Sequence, residues 1–498
     1  MKKYLAGFSL VFLCAGGAAG EDAVRRLTLQ EAIRMAAERN LDVRAELYNT
    51  ALFEADIHRF RGIYDLLLSA LLDYRDSTTL ATNNVITGGS PTIEQKSVSY
   101  NAGATQLLPT GGTVGLTFNN NWTKANFGSI RDFYESDLTL NVAQPLLQNF
   151  GQEVTELNIS ISRLNKEGSF EQFQTRLLNT VNQVTAQYFQ LVSSRQDVDI
   201  RKASLALSER ILSDTQARVK AGVLPAMEII NAEFGVASRQ RELLDAERAV
   251  KDQNDALRLL LQLPPDMEIV PVDAFRTDPY PTDEAAEMKR AMAVRPELKQ
   301  LDAALKTSEL QNRVARKQTL PNLLVTASVA PTGLGSTYSR DLERLGSGDY
   351  PVWGVGLQFS YPLGNRTAEN DYIKTKLRIE QNRMLIKSQQ ETVANEVRAA
   401  VRAIDVNYKQ LEVTKRGRAY AEERLNAFIK RSQVGLATMR DVLDVENDLV
   451  TAKGEEVKAL AAYNSSIYQL WRVTGDLLSR QGVKVSVDEA DTLYERSK

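Results

Sequence analysis

Two hydrophobic periods alternate along the chain. Val184, Leu191, Val198, Leu205, Leu212 and Val219 recur every seven residues, and Val181 and Tyr188 interleave with them by threes and fours. That second row turns polar at Arg195 and Lys202, so the seam has one strong row and one that fades. Such spacing is that of a coiled coil. Residues 152–221 contain no proline and Gly168 as their only glycine. The pattern therefore predicts a helix of roughly 70 residues, about 105 Å long. A similar rhythm returns at Val393, Val397, Ala400, Ile404, Tyr408 and Leu411. Shorter helices are expected near 28–64, 225–262, 283–319 and 438–480. Five prolines make 264–281 an irregular connector.

Between the helices the period falls to two. Trp353, Val355, Leu357, Phe359 and Tyr361 alternate with Gly354, Gly356, Gln358 and Ser360. Val98, Tyr100, Ala102 and Ala104, then Val114, Leu116 and Phe118, then Leu138, Leu140 and Val142 do the same. Strands of this kind suit a transmembrane barrel, although an antiparallel sheet on a soluble core alternates equally well. The polar, Gly/Ser/Thr-containing loops at 78–95 and 333–349, with export of the chain, favour the barrel. The strand region at about 66–146 is much longer than its counterpart at about 322–362. The excess includes Leu108-Pro109-Thr110-Gly111-Gly112, which reads as the turn of an added hairpin near 97–123. Four or six strands per chain are too few for a barrel, which needs about eight or more. Open edges are not tolerated in lipid. Strands that span must therefore be completed by further copies.

The helical period also repeats on a larger scale. Arg218-x-x-x-Gly222 with Ile230-x-Ala232-Glu233 returns as Arg431-x-x-x-Gly435 with Leu443-x-Val445-Glu446, at a constant offset of 213. Ala143-Gln144-Pro145-Leu146 likewise matches Ser360-Tyr361-Pro362-Leu363. The plan is a duplication: a first repeat at 21–281, a second at 282–480, and a polar tail at 481–498.

Composition narrows the chemistry. The 498 residues are 43% hydrophobic and 25% charged with a net charge of -2, which argues against a nucleic-acid partner. One cysteine (Cys14) and one histidine (His58) put Cys/His metal sites and Cys nucleophiles out of reach. No cofactor, no metal and no catalytic residue is expected. Lys2 and Lys3, an apolar run to Ala15 and the small residues Gly16 to Gly20 read as a signal peptide over residues 1–20. Its removal would take Cys14 away. No stretch is long and apolar enough for a transmembrane helix.

The duplicated helix–strand–helix plan, Gln144-Pro145-Leu146, Tyr361-Pro362-Leu363 and two Gly-centred turns together resemble the TolC family of outer-membrane efflux proteins. The most specific stretches are Ala221-Gly222-Val223-Leu224 and the run from Val434 to Asp444. The likeness covers residues 27–478. It implies an α+β fold: a β-barrel shared between protomers in outer-membrane lipid, with a long α-helical coiled-coil tunnel in the periplasm of a Gram-negative bacterium. It also implies a homotrimer that gives passive exit to substrates. These would be delivered by a periplasmic adaptor (a membrane fusion protein) and an inner-membrane pump of RND or ABC type. In the usual plan each chain gives four strands; the added hairpin departs from it. The same features leave open the exit duct of a type I protein secretion system. A periplasmic coiled-coil scaffold with a soluble β-domain is the reading from another class.

The resemblance places a ring of carboxylates at the tunnel mouth, carried here by Asp441 and Asp444, with Glu228 matching Asp441 through the repeat offset. Converging carboxylates favour cations; acids in a first turn also serve as ordinary caps, and Thr438 with Asp441 has capping-box spacing. Gly222, Val223 and Leu224, with Gly435, Leu436 and Ala437, would form the periplasmic tips and the adaptor dock. Arg218 and Arg431 read as cations of a helix's last turn, and His58 as a surface residue.

Overall fold

The computed structural model describes residues 24–81, 91–128 and 131–498. The expected signal peptide, with Cys14, lies outside the described residues. The described residues begin with β1 (Val24–Leu27) and α1 (Leu29–Arg39). Thr28 opens α1 with a capping box: its hydroxyl accepts from the Glu31 N–H, and the Glu31 carboxylate accepts from the Thr28 N–H. Next comes α2 (Leu41–Arg61). The periodic stretch at 28–64 is thus two helices, divided where the Asn40 side chain accepts from the N–H groups of Asp42 and Val43. Four strands follow, β2 (Leu67–Leu80), β3 (Thr92–Leu107), β4 (Thr113–Ala125) and β5 (Asp132–Pro145).

After the single turn α3 (Gln152–Thr155), the chain forms the 64-residue α4 (Leu157–Lys220) and returns in α5 (Met227–Leu261). The proline-rich connector carries β6 (Glu268–Pro271) and leads to α6 (Glu284–Val294) and α7 (Pro296–Gln318). Pro296 occupies the first turn of α7, where its missing N–H costs nothing, and so splits the stretch expected at 283–319. Strand β7 (Asn322–Gly335), helix α8 (Tyr338–Ser347) and strand β8 (Pro351–Ser360) come next. The 68-residue α9 (Arg366–Gln433) and α10 (Met439–Thr474) precede two short helices, α11 (Leu477–Arg480) and α12 (Asp488–Arg496). Among the described residues no helix is long and apolar enough to cross a membrane.

The chain divides into two compact units, each drawn from both halves of the sequence. The first holds residues 24–44, 177–293 and 395–484. Its core is the expected seam: Val181, Val184, Tyr188 and Leu191 on α4 and Val397, Ile404 and Leu411 on α9 are buried. Further along α4 the buried positions move to Ser204, Ser208 and Thr215, while Leu205, Leu212 and Val219 are only partly covered. In the connector, β6 pairs in parallel with β1. Tyr188 fixes that junction from beneath, donating to the Leu27 carbonyl (2.9 Å) or the Asp273 carboxylate (2.8 Å). Burial pushes its phenol well above the ordinary tyrosine value.

The second unit holds 45–176, 294–394 and 485–498. Its centre is one antiparallel sheet in the order β2-β3-β4-β5-β7-β8, so the added hairpin β3–β4 is an integral part of it. Register assigns each side chain a face. On one lie Leu68, Leu72, Val98, Ala102, Ala104, Leu116, Phe118, Leu138, Leu140, Val142, Val325, Val329, Trp353, Val355, Leu357 and Phe359. On the other lie Ser69, Asp73, Ser99, Asn101, Thr117, Asn119, Asn121, Asp137, Thr139, Asn141, Thr326 and Ser328. The division is incomplete: Leu67, Leu71, Leu324 and Val352 interrupt the polar face, and toward the sheet end away from the helices the first face also carries the ion pairs Asp76–Lys96 and Lys124–Asp132. Helix α8, within the loop expected at 333–349, packs on the apolar face. Its Asp341 is buried and accepts from the Ser136 hydroxyl at 2.6 Å. Gly333 admits it, since a Cβ there would sit 2.3 Å from the Asp341 carbonyl oxygen.

Candidate functional site at the helix-hairpin tips

The first unit contains both Gly-centred turns. Helix α4 stops at Lys220 because Gly222 takes a left-handed conformation, φ +72°. Its N–H donates to the Val219 carbonyl and the Val223 N–H to the Arg218 carbonyl. The second turn repeats this geometry at Gly435, φ +76°, with Gly435 donating to Ser432 and Leu436 to Arg431. Both are Schellman closures, which satisfy the last carbonyls of a helix. Nothing lies within 4 Å of where a Cβ would stand on either glycine, so an added methyl meets backbone strain and no neighbour. Gly222→Ala or Gly435→Ala is therefore expected to loosen its tip by about 1–2 kcal/mol, and Asn by less. Amide exchange across 218–228 or 431–441 measures this.

Beyond each glycine the surface is apolar and open. Val223, Val434 and Leu436 are exposed, while Leu224 and Ala437 are partly covered. Arg218 does more than end a helix: its guanidinium donates to the Ser432 carbonyl at 3.3 Å and links one tip to the other. Beside this link a cleft of about 210 Å³ is lined by Ile211, Asp214 and Arg218 from α4 and by Ser432 and Gln433 from the second tip.

The three acidic candidates differ in their surroundings. Asp441 closes a capping box at the start of α10: its carboxylate accepts from the Thr438 hydroxyl at 2.7 Å and the Thr438 N–H at 2.8 Å. Those hydrogen bonds, the hydroxyl's first, hold its carboxyl below the usual aspartate range, so it stays ionised and open to water. Asp444 is one turn further along α10 and exposed. Glu228, at the start of α5, is partly buried and accepts a long hydrogen bond of 3.5 Å from Asn231. His58 lies in the other unit, stacked on Tyr494 at 5.0 Å and 3.2 Å from Glu54.

Sequence periodicity gave no hint of a charged network in the same unit. Glu446, on α10, is 1% exposed and lies 2.8 Å from the Arg239 guanidinium of α5. It also accepts from the buried Ser204 hydroxyl of α4. Arg239 further donates to Glu242 (2.9 Å) and Asn447 (3.0 Å), and Glu242 pairs with Arg201 of α4 at 2.7 Å. Burial pushes the Glu446 carboxyl up, against the opposing pull of Ser204 and Arg239. Three helices are thereby joined by charge. Nearer the tips an apolar cluster of Leu425, Val442, Val445 and Leu449, with Leu207 and Ile211 against it, takes over.

Residues 92–262 and 288–476 match the family described as outer membrane efflux protein. The chain belongs to this family. Among its relatives, the outer membrane efflux protein BepC of Brucella suis biovar 1 (strain 1330) is 24% identical over 345 residues, 69% of this chain and 74% of that protein. The outer membrane protein TolC of Escherichia coli (strain K12) is 28% identical over 310 residues, 60% of each chain. The outer membrane channel CmeC of Campylobacter jejuni shares the fold, with a TM-score of 0.66 at 14% identity, over 94% of this chain and 89% of that one. So does the open state of the Neisseria gonorrhoeae MtrE outer membrane channel, with a TM-score of 0.64 at 18% identity, over 92% and 91%. This efflux protein is an outer-membrane channel through which substrates of an export system leave the cell. Members of the family act with adaptors and inner-membrane pumps, and the family is one of transport channels, not of enzymes.

Proposed function

We propose that three copies of the chain form one passive duct, fed by a periplasmic adaptor and an inner-membrane pump of RND or ABC type. The observation that carries this reading is an apolar row without a partner in the single chain. Ala399, Val406, Val413, Tyr420 and Ala427 recur every seven residues on α9, with Val434 continuing the row just past its end, and all are exposed. A heptad row open to water is a coiled-coil seam awaiting a helix. The same need for further copies comes from the sheet, whose outer strands β2 and β8 each pair on one side only among the described residues. We read 21–281 and 282–480 as two copies of one plan, with 481–498 as a tail. The channel does no chemistry of its own, and the pump supplies the energy. A trimer that survives detergent extraction of outer membranes is the expected result; a soluble periplasmic monomer overturns the reading.

In this assembly Gly222, Val223, Leu224, Gly435, Leu436 and Ala437 form the tips that dock the adaptor, with the cleft beside Arg218 as a groove for it. Asp441, Asp444 and Glu228 ring the entrance. The carboxylate of Asp441, kept ionised by Thr438, caps α10 and presents its charge to water at once. Replacing Asp441 and Asp444 by Asn together keeps the capping geometry and removes the charge. The double variant is expected to lose cation preference, read as a smaller reversal potential across planar bilayers under a salt gradient. An unchanged reversal potential would take both residues out of the constriction.

A further inference from the structure

We infer that the hairpin β3–β4 is part of the barrel wall, so that three chains close a barrel of eighteen strands in place of twelve; this rests on the trimeric channel reading above. The sheet itself points there. β3 and β4 are its second and third strands, each bonded along its length to both neighbours. A hairpin lying outside the wall would leave β2 to pair with β5, and these two strands are here separated by two others.

The faces agree with this placement. Ala102, Ala104, Leu116 and Phe118 continue the apolar face of Leu138, Leu140 and Val142. Ser99, Asn101, Thr117, Asn119 and Asn121 continue the polar face of Asp137, Thr139 and Asn141. An excursion into water has no reason to keep one face apolar, whereas a wall strand needs lipid on one side and a wet lumen on the other.

The far end of the hairpin is anchored. Its turn at 108–112 lies at the sheet end from which the helices leave, closed by the Gly111 N–H donating to the Leu108 carbonyl. The Thr110 hydroxyl donates to the Gln144 side chain at 2.7 Å, and the Gly151 N–H donates to the Thr110 carbonyl at 2.9 Å. Gly111, at φ +85°, passes so close to the chain before α3 that a Cβ would fall 2.4 Å from the Asn149 carbonyl oxygen.

Closure follows from direction. β2 runs away from the helices and β8 returns toward them, so β8 of one copy meets β2 of the next antiparallel, with apolar faces on the same side. With strands about 4.8 Å apart and tilted about 40°, eighteen strands give a backbone diameter of about 36 Å, and twelve about 24 Å.

Electron cryomicroscopy of the trimer in lipid nanodiscs, viewed down its axis, tests the strand count directly. Eighteen strands at the larger diameter is the expected result. A trimer with twelve wall strands and the hairpin outside them overturns this inference and leaves the channel reading intact. Absence of a trimer defeats the channel reading itself. Labelling gives an independent check on the assembled protein in liposomes. Thr117→Cys is expected to react with a charged, membrane-impermeant maleimide, and Leu116→Cys to lose that reaction until detergent is added. Equal labelling of the two before detergent places both faces of the hairpin in water and overturns the inference.

Discussion

Arg239→Ala is expected to weaken the helices around Glu446 by about 3–5 kcal/mol at neutral pH, the usual cost of leaving a buried charge without its partner. Glu446 is almost fully covered, and Ser204 alone cannot replace the guanidinium. The loss should fall on local opening, read as faster amide exchange in 200–245 and 440–455. Its dependence on pH has a definite sign. Because burial raises the Glu446 carboxyl in the folded state, the folded chain binds the proton more readily than the unfolded one. The stabilisation from that proton is full below the carboxyl's ordinary value near 4.5 and is lost as pH rises through the folded value. Removing Arg239 raises the folded value further, so the damage should shrink as the solution is acidified. Replacing Arg239 and Glu446 together by Leu should recover most of the loss, since an apolar pair of similar volume is often neutral or better. A double variant as unstable as Arg239→Ala would show that the charges are needed for more than their mutual pairing.

Leu140→Arg and Asn141→Arg, adjacent substitutions on β5, should differ by several kcal/mol. Leu140 sits between Leu116 and Val329 on the apolar face, and Asn141 between Gly115 and Ser328 on the polar one. An arginine on the lipid side at mid-depth costs about 2–4 kcal/mol per chain, while a lumenal one reaches water. Denaturant titration of folding into vesicles measures the difference. Equal costs for the two variants would mean that the apolar face does not meet lipid.

Much of this fold could be read from spacing alone, because two physical periods encode it. The seven-residue rows become α4 and α9, and the alternating segments become the strands, hairpin included. What spacing missed has physical reasons. Asn40 and Pro296 each break a helix with a single residue that removes no apolar position, so the hydrophobic pattern passes through unaltered. The shift of the α4 seam from Leu205 and Leu212 to Ser204, Ser208 and Thr215 depends on which small side chains let neighbouring helices approach. Arg239 and Glu446 are separated by more than two hundred positions, and each reads by itself as a solvated helix residue. The tips were visible as repeated glycines, but the tie from Arg218 to Ser432 exists only once the two turns lie side by side.

The pairing of β1 with β6 joins segments more than two hundred positions apart in the chain. Leu29 donates to Asp273 across 244 positions, so this backbone N–H has its partner only once the connector is in place. Until then the short strand β1 has no mate. Arg25 and Arg26 occupy the middle of that strand. Charge of one sign there discourages pairing with strangers, as gatekeeper residues do beside exposed strands. The two arginines would protect the nascent chain rather than the finished channel, and their replacement by Val should show itself in aggregation during export.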